Sequence, residues 1–447
     1  MLRSETGAPT TVRPASLVAG ELRVPGDKSI AHRALMLAAI ADGESTIGGL
    51  PESEDVRATI ACLRNLGVRV TPQVSSSPAG GRSYRVFPSP ARGGGAGWGF
   101  ATPHGALDCA NSGTSMRLLL GLLAGTRVSA TLDGDASLRR RPMARVIDPL
   151  RRMGARIDST DGRAPLRLEG TRLQGRHHVL PIASAQVKSA ILLAGLAASG
   201  PTTVVEPIAT RDHTERLLRV MGADLRQNGT TIELRPSHRS LQPLHTTLPG
   251  DFSSAAFWMA AAAVRPDWSV TIRGVGLNPS RLAFADLLAR MGAEIQFDVT
   301  DDKPEPRGSL RAVGRGLKGI SLEAADVAAA IDEIPALLVL ASQAEGVTTV
   351  SGAAELRLKE SDRLAAMTAG LRAMGADVEE HADGIAVSGP VQLRGAQIDS
   401  RGDHRIAMAF AIAGLIADGP TSIQGSDAVA VSYPAFFRDL QEISDAA

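Results

Sequence analysis

The sequence predicts an α/β fold of two domains, each built from three similar β/α units, and three observations carry that prediction. One phrase recurs along the chain: LRNLGVRV at 63–70, LRRMGARI at 150–157, LRVMGADL at 218–225, LARMGAEI at 288–295 and LRAMGADV at 371–378, with a sixth start, LQEI, at 440–443. Each copy reads as the last turn of a helix, a glycine stop and an alternating strand. Alternating with these phrases are six segments rich in small apolar residues: SIAHRALMLAAIADG, TSMRLLLGLLAG, VKSAILLAGLAASG, SSAAFWMAAAAV, IPALLVLASQAEG and HRIAMAFAIAGLIADG. They are apolar on nearly every face, which marks them as buried helices. Finally, VPGDKS at 24–29 and LPGDFSS at 248–254 read as matching starts of two halves.

Six copies of one unit therefore divide into a domain at 23–249 and a second at 250–447, which residues 1–22 return to complete. The stretch 75–103, rich in Gly, Ser and Pro, departs from the repeat and reads as a surface hairpin with loops.

Composition narrows the function classes. Aromatic residues are 3% of the chain, so the core is made of Ala, Val, Leu and Ile. Forty-eight Lys plus Arg stand against 47 Asp plus Glu, a balance that argues against nucleic acid or a membrane surface as partner. Two cysteines, Cys62 and Cys109, are too few for a disulfide framework or a zinc site. No apolar run is long enough for a membrane span, and the opening MLRSETGAPTTVRPAS carries no apolar targeting core, so a cytoplasmic protein is expected. Neither a P-loop nor an H-E-x-x-H or C-x-x-C pattern is present, which leaves a metal without an obvious home.

Each buried helix is entered through a polar stretch: GDKS, NSGTS, SAQVKS, GDFSS, IDE and RGDH. Helix starts carry partial positive charge and unpaired N–H groups. If the six starts face one cleft, they converge there with Lys28, Ser29, Arg33, Asn111, Ser112, Thr114, Arg117, Ser184, Gln186, Lys188, His404 and Arg405. RRRP at 139–142, TRDH at 210–213 and RLKESDR at 357–363 add further cations. The expected cleft is cationic and suits ligands bearing phosphate and carboxylate groups. Asp332 and Glu333 open a buried helix inside this ring, and Glu360 sits between Lys359 and Arg363; such carboxylates are placed to accept protons. Taken alone, Lys359, Glu360 and Arg363 fit a solvated salt-bridge face better, with Lys359 and Arg363 one turn apart on a helix. Cys109 fits a nucleophile or simple packing, and His213 and His404 fit general acids or structural roles.

The motifs GDKSIAHR, NSGTSMR, RRRPM, SAQVKSA, LKESDR and GDHRIAM, in that order over nearly the whole chain, resemble the family of 5-enolpyruvylshikimate-3-phosphate synthases, the enolpyruvyl transferases of the shikimate pathway. The resemblance implies an inside-out α/β barrel type of fold in each of two halves, with the active site in the cleft between domains. It implies transfer of the enolpyruvyl group of phosphoenolpyruvate to the 5-hydroxyl of shikimate 3-phosphate, in aromatic amino-acid biosynthesis, with no cofactor or metal and a monomeric chain. It places shikimate 3-phosphate on Lys28, Ser29, Arg33, Ser184, Ala185, Gln186, Arg211, Asp332 and Lys359. It places phosphoenolpyruvate on Lys28, Asn111, Gly113, Arg141, Gln186, Arg363 and Arg405, and gives catalysis to Asp332, Glu360 and Lys28. Glyphosate is implied to compete at Gly113, a position that fits either a turn needing positive φ or a close approach of ligand to backbone. Two departures, AVAVSYP without a Lys and a single Ser before the Gln of SAQVKS, put the chain nearer a divergent branch of the family. The remaining alternatives are the sister transferase acting on a UDP-sugar, whose loop cysteine has no counterpart in LRRRPM, and a polyanion-binding module without catalysis.

Overall fold

All five repeat glycines stop a helix in the same way. In the computed structural model, which describes residues 7–76, 81–89, 98–236 and 240–444, Gly67, Gly154, Gly222, Gly292 and Gly375 have φ between 84° and 105°. A side chain would strain that left-handed backbone. Their N–H groups donate three residues back, and the following residue donates to the repeat's leading leucine: Val68 to Leu63, Ala155 to Leu150, Ala223 to Leu218, Ala293 to Leu288 and Ala376 to Leu371, all near 3 Å. This is one Schellman cap written five times, satisfying carbonyls that a helix end leaves bare. The sixth start, LQEI, forms the end of helix Phe436–Ile443 without the glycine.

The chain divides into two units. One comprises residues 26–248 with 303–305, the other residues 1–25, 249–302 and 306–447. The three-residue excursion 303–305 is not foreshadowed in the sequence.

Within each unit the repeat reappears as sheets of one design: a parallel pair followed by antiparallel neighbours. In the 26–248 unit these sheets are, in spatial order, His245–Thr247, Ser45–Leu50, Arg82–Phe87 and Arg69–Ser76; Leu107–Asp108, Ala130–Asp133, Arg163–Glu169 and Arg156–Thr160; and His177–Val179, Thr202–Val205, Thr231–Arg235 and Asp224–Asn228. The other unit has Ala19–Leu22, Ser269–Gly276, Arg307–Val313 and Glu294–Asp301, then Ser321–Leu322, Gly346–Val350, Gly384–Gly389 and Asp377–His381. Its third sheet has three strands, with Thr10–Val12 beside Thr421–Gln424 and Gln397–Asp399. Strand Arg82–Phe87 lies in the 75–103 stretch yet fills the regular third place of its sheet, so that stretch does not leave the repeat entirely. The parts of it at 77–80 and 90–97 lie outside the described residues.

The six apolar segments form helices Lys28–Ala38, Gly113–Ala124, Ala185–Gly195, Phe252–Ala263, Ile334–Ala341 and His404–Leu415. Every residue of Phe252–Ala263, Ile334–Ala341 and His404–Leu415 is buried. Strands such as Arg163–Glu169 alternate exposed and buried positions without interruption. Each unit thus wraps amphipathic sheets around buried, largely apolar helices, and each has its own core. Among the described residues, no helix is long and apolar enough to cross a membrane.

Candidate active site

The entrances of the buried helices are where polar side chains gather. In the 26–248 unit, Asp27 caps helix Lys28–Ala38 by accepting from the Ile30 N–H at 2.8 Å. That cap fixes where the helix begins and so places Lys28 and Ser29 in its first turn. Lys28 Nζ lies 2.8 Å from Asp55, an acidic partner on the outer helix Glu54–Asn65. Arg33 is turned inward: Nε donates to Thr214, Nη2 to Ser189 and Nη1 to the Ser29 carbonyl, each at 2.8 Å. Burial lowers its pKa to about 10, which leaves it charged.

Asn111, Gly113 and Arg117 come together at the start of helix Gly113–Ala124, with Ser112 as its cap. Arg141 follows the short helix Ala136–Arg140 and donates to Asn111 Oδ1, while Asn111 donates to Asp135 at 2.8 Å. Arg117 donates to Gln186 Oε1 at 2.7 Å, and the Gln186 amide donates to Thr114 at 2.8 Å. Gly113 is not among the positive-φ glycines, which removes the turn explanation. A Cβ there would lie 2.7 Å from Arg117 Nη1 and 3.3 Å from Arg141 Nη1. Gly113 therefore makes room for two guanidinium groups.

Ser184 caps helix Ala185–Gly195 and is half-buried with Ala185 and Gln186. Arg211 is half-buried in the loop before helix His213–Val220. Lys188 does not join the helix mouth as the sequence suggested. It falls a full turn inside the helix, 1% exposed, paired with Glu206 at 2.7 Å and Glu215 at 2.8 Å. Cys109 is fully buried with its thiol on the Leu107 carbonyl, and the adjacent Cys62 thiol and burial push its pKa well up, as packing requires. His213 Nδ1 meets Glu305 at 2.8 Å, both buried.

The other unit carries a denser charge cluster. Arg363, 1% exposed, is the first residue of helix Arg363–Ala373. Its Nε donates to Asp403 at 2.8 Å, Nη2 reaches Glu360 at 2.7 Å and Nη1 stands 3.5 Å from Asp332. Burial opposes its charge, but Asp403, Glu360 and Asp332 together drive its pKa well above the usual value. Asp403 is fully buried and caps helix His404–Leu415, accepting from the Arg405 N–H at 2.9 Å. Burial works to raise the Asp403 pKa; Arg363 overrides it and the net shift is downward. Asp332 Oδ1 is 3.8 Å from Lys359, and Oδ2 is 3.9 Å from Arg405, which also donates to the Asp332 carbonyl at 2.8 Å. The structure thus brings Asp332, Lys359, Glu360, Arg363 and Arg405 together around one buried guanidinium.

Two expectations for this unit change. Lys359 and Arg363 do not share a helix: Asp362 caps the helix that begins at Arg363, and Lys359 lies in extended backbone before it. Glu333 faces the core, bonded to Ser253 at 2.5 Å and 3.8 Å from Arg281. Asp55 and Asp403 were not anticipated from sequence. Asp403 had a signal in its place before a buried helix, whereas Asp55 lies on an outer helix far along the chain from Lys28. Asp332, Glu360 and Asp403 face Lys359, Arg363 and Arg405, three charges against three, so this face is balanced rather than cationic.

The chain is similar to known proteins along nearly its whole length. The chain is 49% identical over 433 residues to the 3-phosphoshikimate 1-carboxyvinyltransferase of Synechococcus sp. (strain RCC307), covering 95% of this chain and 96% of that protein. The solved EPSP synthase of Acinetobacter baumannii superposes with a TM-score of 0.84 at 40% identity, covering 98% of both chains. The enolpyruvyl transferase NikO of Streptomyces tendae, at 21% identity, shares the fold with a TM-score of 0.77 over 98% of both chains. The family model for EPSP synthase (3-phosphoshikimate 1-carboxyvinyltransferase) matches residues 12–440, and the chain belongs to that family.

Proposed function

We infer that the chain transfers the enolpyruvyl group of phosphoenolpyruvate to the 5-hydroxyl of shikimate 3-phosphate and releases phosphate. Family membership over residues 12–440 supports the reaction. The observation that supports the chemistry is the Asp332 carboxylate held among Lys359, Arg363 and Arg405 at 3.5–3.9 Å. Three cations hold this carboxylate in place as the acceptor for the hydroxyl proton.

In this reading the 5-hydroxyl oxygen bonds to C2 of phosphoenolpyruvate, its proton passes to Asp332, and C3 gains a proton with Glu360 as partner. The tetrahedral adduct then breaks its C2–O bond to phosphate and loses a proton from C3. Lys28, Gly113, Arg141, Arg363 and Arg405 bind phosphoenolpyruvate, with Asn111 and Gln186 orienting the arginines through their amides. The same cations stabilise charge on the departing phosphate. Lys28, Ser29, Arg33, Ser184, Ala185, Gln186 and Arg211 hold shikimate 3-phosphate, with Asp332 and Lys359 at its hydroxyls. Arg33 contributes by fixing Ser29, whose carbonyl it anchors. Holding two substrates in register supplies much of the acceleration. We place the enzyme in the cytoplasm as a monomer, which sedimentation of the purified chain checks.

The test is phosphate release from phosphoenolpyruvate in the presence of shikimate 3-phosphate, each substrate being required. Release with a UDP-sugar in place of shikimate 3-phosphate would assign the sister activity. Binding of both ligands without release would leave a polyanion-binding module.

A further inference from the structure

A ladder of polar contacts runs inward from Lys28 between the apolar helices of the 26–248 unit, and beyond Lys28 no step of the reaction uses it. Lys28 and His32 stand one turn apart on helix Lys28–Ala38, as do Asp55 and Thr59 on helix Glu54–Asn65. Lys28 pairs with Asp55 at 2.8 Å, and His32 Nδ1 meets Thr59 Oγ1 at 2.7 Å. From Thr59 the ladder continues to Ser115 Oγ at 2.6 Å. Ser115 Oγ in turn lies 2.8 Å from Ser112 Oγ and 3.4 Å from the Asp55 carbonyl. Ser112 Oγ caps the helix that begins at Gly113, accepting from the Ser115 N–H at 3.1 Å. His32, Thr59, Ser115 and Ser112 are all buried.

Counting protons gives the ladder a direction. Ser115 donates onward to Ser112, so its oxygen accepts from the Thr59 hydroxyl, and Thr59 in turn accepts from His32 Nδ1–H. His32 is then the Nδ1–H tautomer, and its Nε2 is buried with no hydrogen-bond partner. Burial pushes its pKa down to about 3, so the ring stays neutral. Exchanging such polar pairs for apolar residues of the same shape is close to neutral for stability. What a directed chain adds is one fixed register among helices whose Ala- and Leu-rich faces are otherwise interchangeable.

We propose that His32 and Thr59 are positioning residues: through the Ser115–Ser112 hydroxyls they set the entrance of the Gly113 helix, and with it Arg117, relative to the Lys28 ammonium. The ligand this entrance serves is the phosphoenolpyruvate of the reading above, on which this part of the proposal rests.

The experiment compares Thr59→Val with Thr59→Ser in the full chain. Thr59→Val keeps the shape and removes the hydroxyl; it should raise the KM for phosphoenolpyruvate about fivefold with kcat within about twofold, and Thr59→Ser should restore the KM. An unchanged KM in folded Thr59→Val overturns the proposal, and so does a raised KM that the serine does not restore. Nitrogen-15 spectra of His32 in the unsubstituted protein give a second readout that needs no variant to fold. A neutral Nδ1–H ring from pH 7 to pH 5 supports the ladder, and an Nε2–H or doubly protonated ring overturns it. If the unsubstituted protein fails to turn over phosphoenolpyruvate, the functional reading falls while the spectra still decide the ladder.

Discussion

The two units hold their arginines by opposite means. In the 26–248 unit, Arg117 and Arg141 donate to the amide oxygens of Gln186 and Asn111, acceptors that orient a guanidinium without adding negative charge. In the other unit, Arg363 lies among three carboxylates, and Arg405 is 3.9 Å from one of them, Asp332. Amide-held arginines suit the capture of an anion, because the oxygen that aims each guanidinium carries no charge of its own. Carboxylate-held arginines suit proton traffic, because they keep the acids aimed. One repeat thus supplies two kinds of surface, and the difference lies in the side chains at the helix mouths rather than in the fold.

The largest effect that would break this comparison is at Asp332. Asp332→Asn keeps the shape but takes no proton, and kcat should fall by roughly 10²–10⁴ with little change in either KM. Near-normal turnover by the folded variant would remove Asp332 from the mechanism. Next comes Asp403→Asn, which leaves the buried Arg363 without its one fully buried anion; unfolding free energy should drop by about 3–5 kcal/mol in denaturant titration. The stabilisation from Asp403 is present above the usual carboxylate range and is lost as pH falls through its lowered folded value.

Arg405→Ala should raise the KM for phosphoenolpyruvate at least about tenfold, far more than that for shikimate 3-phosphate. Because Arg405 also donates to the Asp332 carbonyl, kcat should fall as well, a coupling that the amide-held Arg117 lacks if the comparison is sound. Equal weakening of both substrates would contradict the assignment. Acid titration separates the units in another way. Unfolded His32 takes a proton below about pH 6.5, whereas folded His32 waits until about 3, so stability should fall with pH between those values. The slope is about 1.4 kcal/mol per pH unit, and His32→Gln should flatten it in denaturation curves recorded at several pH values.

The smallest effect is at Gly113. The added methyl of Gly113→Ala meets the far end of Arg117, a flexible group that can shift, so the fold should tolerate it. The KM for phosphoenolpyruvate should rise a few-fold, by about 1 kcal/mol, and the inhibition constant for glyphosate, the longer molecule, should rise more. Equal factors for the two would mean that Arg117 moves without narrowing the site.

Much of this was legible because it is local. The Leu-x-x-Met/Leu-Gly phrase encodes a helix stop within six residues, and the positive φ of Gly67, Gly154, Gly222, Gly292 and Gly375 follows from it. Lys28, Asn111, Gln186, Asp332 and Arg405 could be flagged because each stands at the polar mouth of an apolar run. Sequence cannot show which way a side chain turns once the helix has started. Lys188 looked like a mouth residue, but Ser184 caps the helix and Lys188 falls inside it, opposite Glu206 and Glu215. The same holds for Glu333, whose neighbour Asp332 faces the other way. Asp55 and Thr59 were invisible for a different reason: their partners Lys28, His32 and Ser115 are brought near only by the packing of three helices.

The strand pairing of residues 10–22 also has a bearing on how the protein is made. Strand Ala19–Leu22 pairs with Ser269–Gly276, and Thr10–Val12 pairs with Thr421–Gln424. On the ribosome these strands emerge before their partners, which are synthesised only after the whole of 26–248 has appeared. Waiting strands invite pairing with strangers. These two are three and four residues long and mostly solvent-facing in pattern, which makes them poor templates for a foreign edge. Their brevity lets the nascent chain carry them safely past an entire folding unit before their own sheets exist.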